Sequence, residues 1–340
     1  MSFYSGSPLF GELMDSCVAA LHHDDSNLKH LADRLQSSAE YSRIAPEALF
    51  NLLFEAMGPP GLDPVRVFAL GHATYPHYCA VQAAELLKSP ILTTNFDLLV
   101  EEAAGRLSAV HRPSILHLHG RVDRLKTIRI TMDRVWSGNL PEIRRIMGDS
   151  LNDRHVFVGG YRGLDSDVFP LLEDARELVW LKRAAIGGDF YDENPGLKKY
   201  ASTLTFCEAD IQDYLEAILI GLGGLPEGRK AQARQVLDWQ ARVEQWGAAA
   251  AREDRYAVVG KLLALSGDID GASTCFEALY SSASNLRERG VALAGLVSIV
   301  GPRMADWPSV ERYAAEYDAL ALRPQVRNKV FGPSVVLNAR

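Results

Sequence analysis

The strongest constraint on the fold is an alternation of short β-rich runs with amphipathic segments between residues 89 and 210. Apolar runs bounded by turn residues predict strands, and apolar residues at three- and four-residue spacing predict helices. Strands that alternate with helices indicate parallel βαβ units and a doubly wound, Rossmann-like sheet. We predict strands at residues 90–95, 114–119, 127–131, 155–158, 178–181 and 203–206, with helices at residues 97–106, 141–151 and 211–222.

Both flanks of this region have a helical pattern. Apolar residues at helical spacing recur at residues 28–35 and 47–57, and again at residues 230–246, 256–265, 272–281 and 287–299. We therefore predict an α/β domain over residues 1–224 and an all-helical module over residues 225–340. Residues 260–276 resemble one tetratricopeptide unit, and a generic helical hairpin fits the same pattern equally well.

Composition limits the classes of function. The 340 residues carry a formal net charge of −7, which argues against a large basic face for nucleic acid. The four cysteines lack CxxC spacing, so no zinc ribbon or redox pair is predicted, and scattered thiols suit a reducing cytoplasm. Because no apolar run is long enough to span a membrane and no signal peptide is present, we expect a cytoplasmic protein.

Three motifs fall at predicted strand ends, where a doubly wound sheet binds its ligands. They are Thr93-Thr94-Asn95-Phe96-Asp97, His117-Leu118-His119-Gly120 and Gly159-Gly160-Tyr161-Arg162-Gly163-Leu164-Asp165. Each has a structural alternative. Asn95 and Asp97 can cap a helix, the two histidines can be ordinary polar residues or metal ligands on one strand face, and the glycines can allow close packing. Their joint occurrence favours a ligand site.

With these motifs the chain resembles the sirtuin-like (silent-information-regulator-2-like) family, most of all its bacterial defence-type NAD-hydrolase branch. The resemblance runs from residue 5 to residue 222, and its specific part is the TTNFD and HG pair on successive strands. The matching positions are residues 5–10, the helix at residues 76–87, Thr93 to Asp97, His119-Gly120, Thr131 to Asp133, Gly160-Tyr161 and Asp165.

The resemblance implies an NAD glycohydrolase that cleaves the nicotinamide–ribose bond, with NAD as the substrate and no metal. Asn95 would orient the nicotinamide ribose and the attacking water, and His119 would be the general base. Because His117 lies deeper in the predicted strand than His119, we expect it to be a less important supporting residue. NAD binding would involve Thr93, Thr94, Asp97, Gly120, Gly159, Gly160, Tyr161 and Asp165. By analogy, the activity would serve anti-phage defence, and the helical module would form a homo-oligomer or bind a regulatory protein.

Three departures from the family pattern affect these expectations. The diphosphate-binding GAG-x-S loop and the first strand are absent, so we expect weak NAD binding and a chain that lacks its true N-terminus. Arg162 stands where relatives have a small hydroxyl residue. The four zinc-binding cysteines of the deacetylase branch are also missing, so protein deacetylation is not expected.

Two other functions remain open. The same pocket could bind NAD or ADP-ribose without cleaving it, which the missing loop favours and the presence of Asn95 with His119 opposes. Alternatively, His117 and His119 could be the HxH ligand pair of a metal-dependent hydrolase, with Asp123 and His155 as the further candidate ligands.

Overall fold

The computed structural model describes residues 5–107, 112–130, 151, 153–159, 168, 172, 175–182, 202–226, 237–304 and 306–321. The chain forms two compact units, one of residues 1–9 and 66–237 and the other of residues 10–65 and 238–340. The first unit contains the described strands, and the second is helical. The helices between residues 10 and 57 therefore belong with the C-terminal helices, whereas the sequence pattern grouped them with the strands.

The second unit begins with helices α1 (Phe10–Ala20), α2 (Ser26–Gln36) and α3 (Pro46–Met57), and a 3-10 segment (Pro59–Leu70) leads into the first unit. The first unit then contains α4 (Tyr75–Leu87), β1 (Ile91–Thr93), α5 (Leu99–Arg106), β2 (Ile115–His117), β3 (His155–Gly159), β4 (Glu177–Lys182), β5 (Leu204–Glu208) and α6 (Ile211–Gly221). The chain returns to the second unit with α7 (Gln240–Ala249), α8 (Arg252–Leu265), α9 (Ile269–Ser281), α10 (Leu286–Gly295), a π-helical turn (Leu296–Val300), α11 (Gly301–Met304) and α12 (Trp307–Ala321). Within the described ranges, no helix combines the length and apolar character needed to cross a membrane.

The described strands form two parallel sheets, β1–β2 and β3–β4–β5. In the first sheet Ile91 is in register with Ile115 and Thr93 with His117. In the second sheet His155 is in register with Glu177. A mixed α/β architecture with parallel strands is therefore observed, as predicted, and in the described residues its strands are divided between these two small sheets.

Alternate residues of β1 and β2 face two different apolar clusters. Ile91 and Ile115 pack against buried residues of α4 and α5. Leu92 and Leu116 pack against a cluster around the fully buried Trp180, which also includes side chains of β3, β4 and β5. Because successive strand residues point to opposite faces, β1 and β2 are covered on both sides, as parallel strands usually are.

The predicted strand at residues 127–131 is wrong in its described part. Leu125–Thr127 is a 3-10 turn, and residues 128–130 have no regular secondary structure. Ile128 and Ile130 are buried, with exposures of 0% and 1%, so their alternation reflects a buried loop. The Arg129 N–H donates to the His119 carbonyl at 2.9 Å. This bond connects the loop to the His117-Leu118-His119-Gly120 motif, here called the HxHG motif.

Most predicted helices are confirmed, although two fall partly outside the described residues. Residues 141–150 of one predicted helix and residues 230–236 of another lie outside them. In the second unit, polar caps define where helices begin. Asp25, Asp268 and Asn285 accept backbone N–H groups from the first turns of α2, α9 and α10.

The aromatic ring of Phe276 lies between two glycines in the second unit. A Cβ atom at Gly260 of α8 would lie 2.6 Å from Phe276 Cζ, and one at Gly295 of α10 would lie 2.4 Å from the same ring. Phe276 is 1% exposed. Because both sides of the ring are occupied by backbone, the ring cannot move away from an added methyl group.

We predict that Gly260→Ala destabilises the second unit by about 1–3 kcal/mol, the usual cost of overpacking a core. The control is Gly11→Ala on α1, where an added Cβ meets nothing within 4 Å. This control should be neutral or stabilising by up to about 1 kcal/mol. Urea unfolding of both variants measures the difference, and equal stability of Gly260→Ala and the parent would contradict the packing described here.

Candidate functional site

The loops that follow β1 and β2 are held side by side. Directly after the paired residues Thr93 and His117, the Leu118 N–H donates to the Thr93 carbonyl at 2.8 Å. Further along both loops, the Val122 N–H donates to the Phe96 carbonyl, also at 2.8 Å. The parallel pairing thus continues beyond the strands and places the TTNFD segment against the HxHG segment at the carboxyl ends of β1 and β2.

Asn95 lies in the first of these loops and is half-buried. Its N–H donates to Thr93 Oγ1 at 3.1 Å. Its carbonyl lies 2.9 Å from His117 Nδ1. The backbone of Asn95 is therefore held on both sides, by the residue that ends β1 and by the residue that ends β2.

Asp97 is 3% exposed and supports the start of α5. The Leu99 N–H donates to Asp97 Oδ1 at 3.2 Å, which satisfies one of the free N–H groups of the first helical turn. Asp97 thus supports the first turn of α5 from the position before its N-cap residue, Leu98. Thr94, between Thr93 and Asn95, is half-buried.

His119 lies two residues beyond the end of β2 and is 8% exposed. Its ring is 6.5 Å from the Phe96 ring, so the two loops also meet through side chains. The predicted strand extends to His119, but β2 ends at His117. Because His119 is in a bend, the expectation that both histidines share one strand face is wrong.

The backbone conformation and the close packing at residue 120 both require a glycine. It has φ of 87°, and a Cβ there would lie 2.1 Å from the Thr127 carbonyl oxygen. The loop at residues 127–130 therefore packs directly on the HxHG turn, and a side chain at residue 120 would separate them.

His117 connects β2 to helix α5. Its Nε2 lies 2.7 Å from Glu101 Oε1, while its Nδ1 faces the Asn95 carbonyl. Arg121 Nη1 is 3.6 Å from the same Glu101 oxygen, and Arg121 also pairs with Asp123 at 2.9 Å. Sequence reasoning missed Glu101. The only signal for it was an acidic residue in the first turn of the helix that follows β1.

The pKa values of His117 and Glu101 are shifted in opposite directions. Burial lowers the pKa of the His117 imidazole, but the hydrogen bond and charge of Glu101, with the bond to the Asn95 carbonyl, outweigh it, so the pKa is raised. Burial raises the pKa of the Glu101 carboxyl, but the hydrogen bond and charge of His117 outweigh it, so that pKa is lowered. Both shifts favour the charged forms, an imidazolium at His117 and a carboxylate at Glu101, over two neutral groups.

The candidate ligands of a metal site are not brought together. Both nitrogens of His117 face oxygen acceptors, and Asp123 pairs with Arg121. His155 lies at the first residue of β3, where its Nδ1 is 2.8 Å from Glu177. Across the part of the chain that the structure describes, no three His, Cys, Asp or Glu residues form a group that could hold a metal.

The third motif is described only at its first residue. Gly159 ends β3, and a Cβ there would lie 3.0 Å from Ile211 Cδ1 of α6, so this glycine allows close helix–strand packing. Gly160, Tyr161, Arg162 and Asp165 lie outside the described residues, as do Thr131 to Asp133.

The N-terminal Ser-Gly-Ser segment belongs to the same unit as the strand-end loops. Ser5 and Ser7 are fully buried, and the Ser5 hydroxyl donates to Ser7 Oγ at 3.2 Å. A Cβ at Gly71 would lie 2.4 Å from Ser7 Oγ, so the segment packs closely on the backbone that precedes α4. The resemblance placed residues 5–10 in the same domain as β1 and β2. Residues 5–9 do belong to that unit, whereas Phe10 begins α1 and belongs to the helical unit.

No protein-family model, curated protein or solved structure matches this chain. What the site can do is therefore inferred from its own geometry, which consists of two polar loops at adjacent strand ends, the buried His119 and the hydrogen-bonded His117–Glu101 pair.

We predict that Gly120→Ala destabilises the first unit more than Gly223→Ala does. Both glycines have a positive φ, but an added Cβ at Gly223 meets nothing within 4 Å. Gly223→Ala should therefore cost only the left-handed backbone penalty of about 1–2 kcal/mol. Gly120→Ala should cost an additional ~1–3 kcal/mol from the clash with Thr127. Equal losses in thermal and urea unfolding would show that residues 127–130 do not pack on the HxHG turn.

Proposed function

We propose that this protein cleaves the nicotinamide–ribose bond of NAD at the loops that follow β1 and β2. The observation that carries the proposal is the pairing of the Asn95 loop with the His119–Gly120 loop through the Thr93–Leu118 and Phe96–Val122 hydrogen bonds. Ligands of parallel α/β sheets bind at such strand ends. The resemblance of these two motifs to those of sirtuin-like NAD hydrolases supports the assignment of the substrate.

The reaction needs few groups. Water attacks the ribose carbon as the bond to nicotinamide breaks, nicotinamide leaves as a neutral molecule, and the proton of the water passes to His119. Asn95 orients the ribose and the water. The transition state resembles an oxocarbenium ion, so positioned polar groups and one base suffice. The products are ADP-ribose, nicotinamide and a proton.

The remaining assignments belong to the same proposal. Thr93, Thr94, Asp97 and Gly120 contribute to NAD binding through the loops described above, together with Gly159 and, outside the described residues, Gly160, Tyr161 and Asp165. The two parallel sheets are portions of one doubly wound, sirtuin-type sheet. In a cytoplasmic anti-phage role, the helical unit would form an oligomer or bind the regulatory protein that controls NAD depletion.

One observation favours a second candidate, a module that binds NAD or ADP-ribose without cleaving it. His119 is 8% exposed and lies against Phe96, which leaves a general base little access to water. The two candidates differ in one measurable property. The enzyme releases nicotinamide from NAD, whereas the binding module returns NAD intact and binds ADP-ribose equally well.

We predict that Asn95→Ala and His119→Ala each reduce NAD cleavage by about 10²–10⁴-fold, the usual cost of losing a positioned catalytic group. The full chain is incubated with NAD, with and without candidate activators, and nicotinamide and ADP-ribose are followed by chromatography. Both variants should keep their thermal unfolding transitions.

The matched control is His155→Ala, which removes an exposed histidine of the same unit that pairs with Glu177. It should keep the parent's turnover. Near-normal turnover of His119→Ala in a cleavage-competent protein would show that His119 is not the base. Tight binding of NAD with no release of nicotinamide under any condition would favour the binding module.

A further inference from the structure

We propose that His117 is a positioning residue that acts as an imidazolium: it donates from Nδ1 to the Asn95 carbonyl and from Nε2 to Glu101, and thereby fixes the Asn95 loop for its ligand. The consequence is a site that is ordered while His117 carries this second proton and loosens when the proton is lost. The effect on NAD rests on the proposed function, whereas the effect on Asn95 can be measured without a substrate.

With Glu101 ionised, as its lowered pKa favours, the hydrogen-bond geometry calls for two donors on one ring. A backbone carbonyl can only accept, so Nδ1, at 2.9 Å from the Asn95 oxygen, must carry a hydrogen. An ionised carboxylate also only accepts, so Nε2, at 2.7 Å from Glu101 Oε1, must carry the second hydrogen. A histidine with hydrogens on both nitrogens is positively charged. The His117 side chain is 4% exposed, so water cannot readily replace either partner.

Loss of the proton breaks one of the two bonds in either tautomer. If Nδ1 keeps its hydrogen, the Nε2 lone pair faces the Glu101 carboxylate. If Nε2 keeps its hydrogen, the Nδ1 lone pair faces the Asn95 carbonyl. A favourable hydrogen bond is replaced by repulsion between two acceptors in both cases, so neutral His117 cannot hold Asn95 and α5 together.

The charges around His117 act in opposite directions. Glu101 on α5 favours the imidazolium, and Arg121 on the loop after β2 disfavours it. Arg121 is itself paired with Asp123, which offsets part of its charge. Because the folded protein binds this proton more tightly than the unfolded chain does, the bridge stabilises the fold below the ordinary pKa of histidine. That stabilisation is lost as the pH rises through the raised pKa of His117.

The position of Asn95 depends directly on this bridge. Its loop is tied to β1 by the bond from its N–H to Thr93 Oγ1, and to β2 by the bond that His117 donates to its carbonyl. Without the second bond Asn95 keeps the bond from its N–H to Thr93 Oγ1 and the loop keeps the Phe96–Val122 hydrogen bond, but the Asn95 carbonyl loses the bond that His117 donates. A ligand contact made by the Asn95 side chain would then be positioned less well.

The first experiment is a pH titration of the full chain by NMR, without any ligand. The ring signals of His117 are identified by their absence in His117→Gln, and the Asn95 carbonyl and Phe96 amide signals are followed in parallel. We expect His117 to titrate above the ordinary pKa of histidine and the Asn95 and Phe96 signals to move with the same midpoint. A neutral His117 ring at neutral pH, or Asn95 signals that ignore its titration, would overturn the proposal.

Two variants should shift the midpoint of the His117 titration in opposite directions. In Glu101→Gln the side-chain amide can donate to a neutral Nε2 while Nδ1 still donates to Asn95, so the pKa of His117 should fall and the Asn95 signals should become independent of pH. In Arg121→Gln a repelling charge is removed, so the pKa of His117 should rise. The matched control is Glu102→Gln, because Glu102 binds the Ala73 N–H and Arg106 instead. It should leave the midpoint unchanged.

The same variants separate this inference from the proposed function. If NAD is cleaved, kcat/KM should decline at alkaline pH with the midpoint of the His117 titration, and this decline should disappear in Glu101→Gln. A linked titration of His117 and Asn95 in a protein that neither binds nor cleaves NAD would reject the proposed function and leave the bridge established. NAD cleavage whose pH profile is identical in the parent, Glu101→Gln and Arg121→Gln would reject the bridge as a positioning device.

Discussion

The candidate site depends on the parallel pairing of β1 with β2. Only three residues of each strand are paired, but the hydrogen bonds continue into the loops through Thr93–Leu118 and Phe96–Val122. Both faces of the pair are covered by apolar clusters, so the two strands are buried between them. The polar groups of both loops therefore have defined positions at one edge of the sheet.

Further contacts fix the conformation of the two loops that follow β1 and β2. Asp97 accepts the Leu99 N–H in the first turn of α5, and Gly120 allows residues 127–130 to pack on the turn at His119-Gly120. His117 joins the Asn95 carbonyl to Glu101. These contacts link β1, β2 and α5 at the place where the proposed reaction occurs. A chemically reactive loop needs such support because loop backbones are otherwise the most mobile part of a fold.

The sequence could predict the parts that depend on local pattern. The apolar runs at β1 and β2 have local signals, and both strands are predicted from them. The bond between His117 and Glu101 depends on how α5 is rotated against β2, which no local pattern specifies. Ile128 and Ile130 alternate as in a strand but are buried in a loop. Likewise, α3 packs with α8, for example through Glu55 and Lys261, across a separation in sequence that helical spacing does not reveal.

The most direct test of the account is hydrogen–deuterium exchange of the full chain with saturating NAD or ADP-ribose. The claim is that the two paired loops form one ligand site. It predicts slower exchange in peptides that cover residues 93–99 and 117–122, with both segments protected together. Unchanged exchange in these two segments, with protection confined to the helical unit at residues 238–304, would contradict the claim.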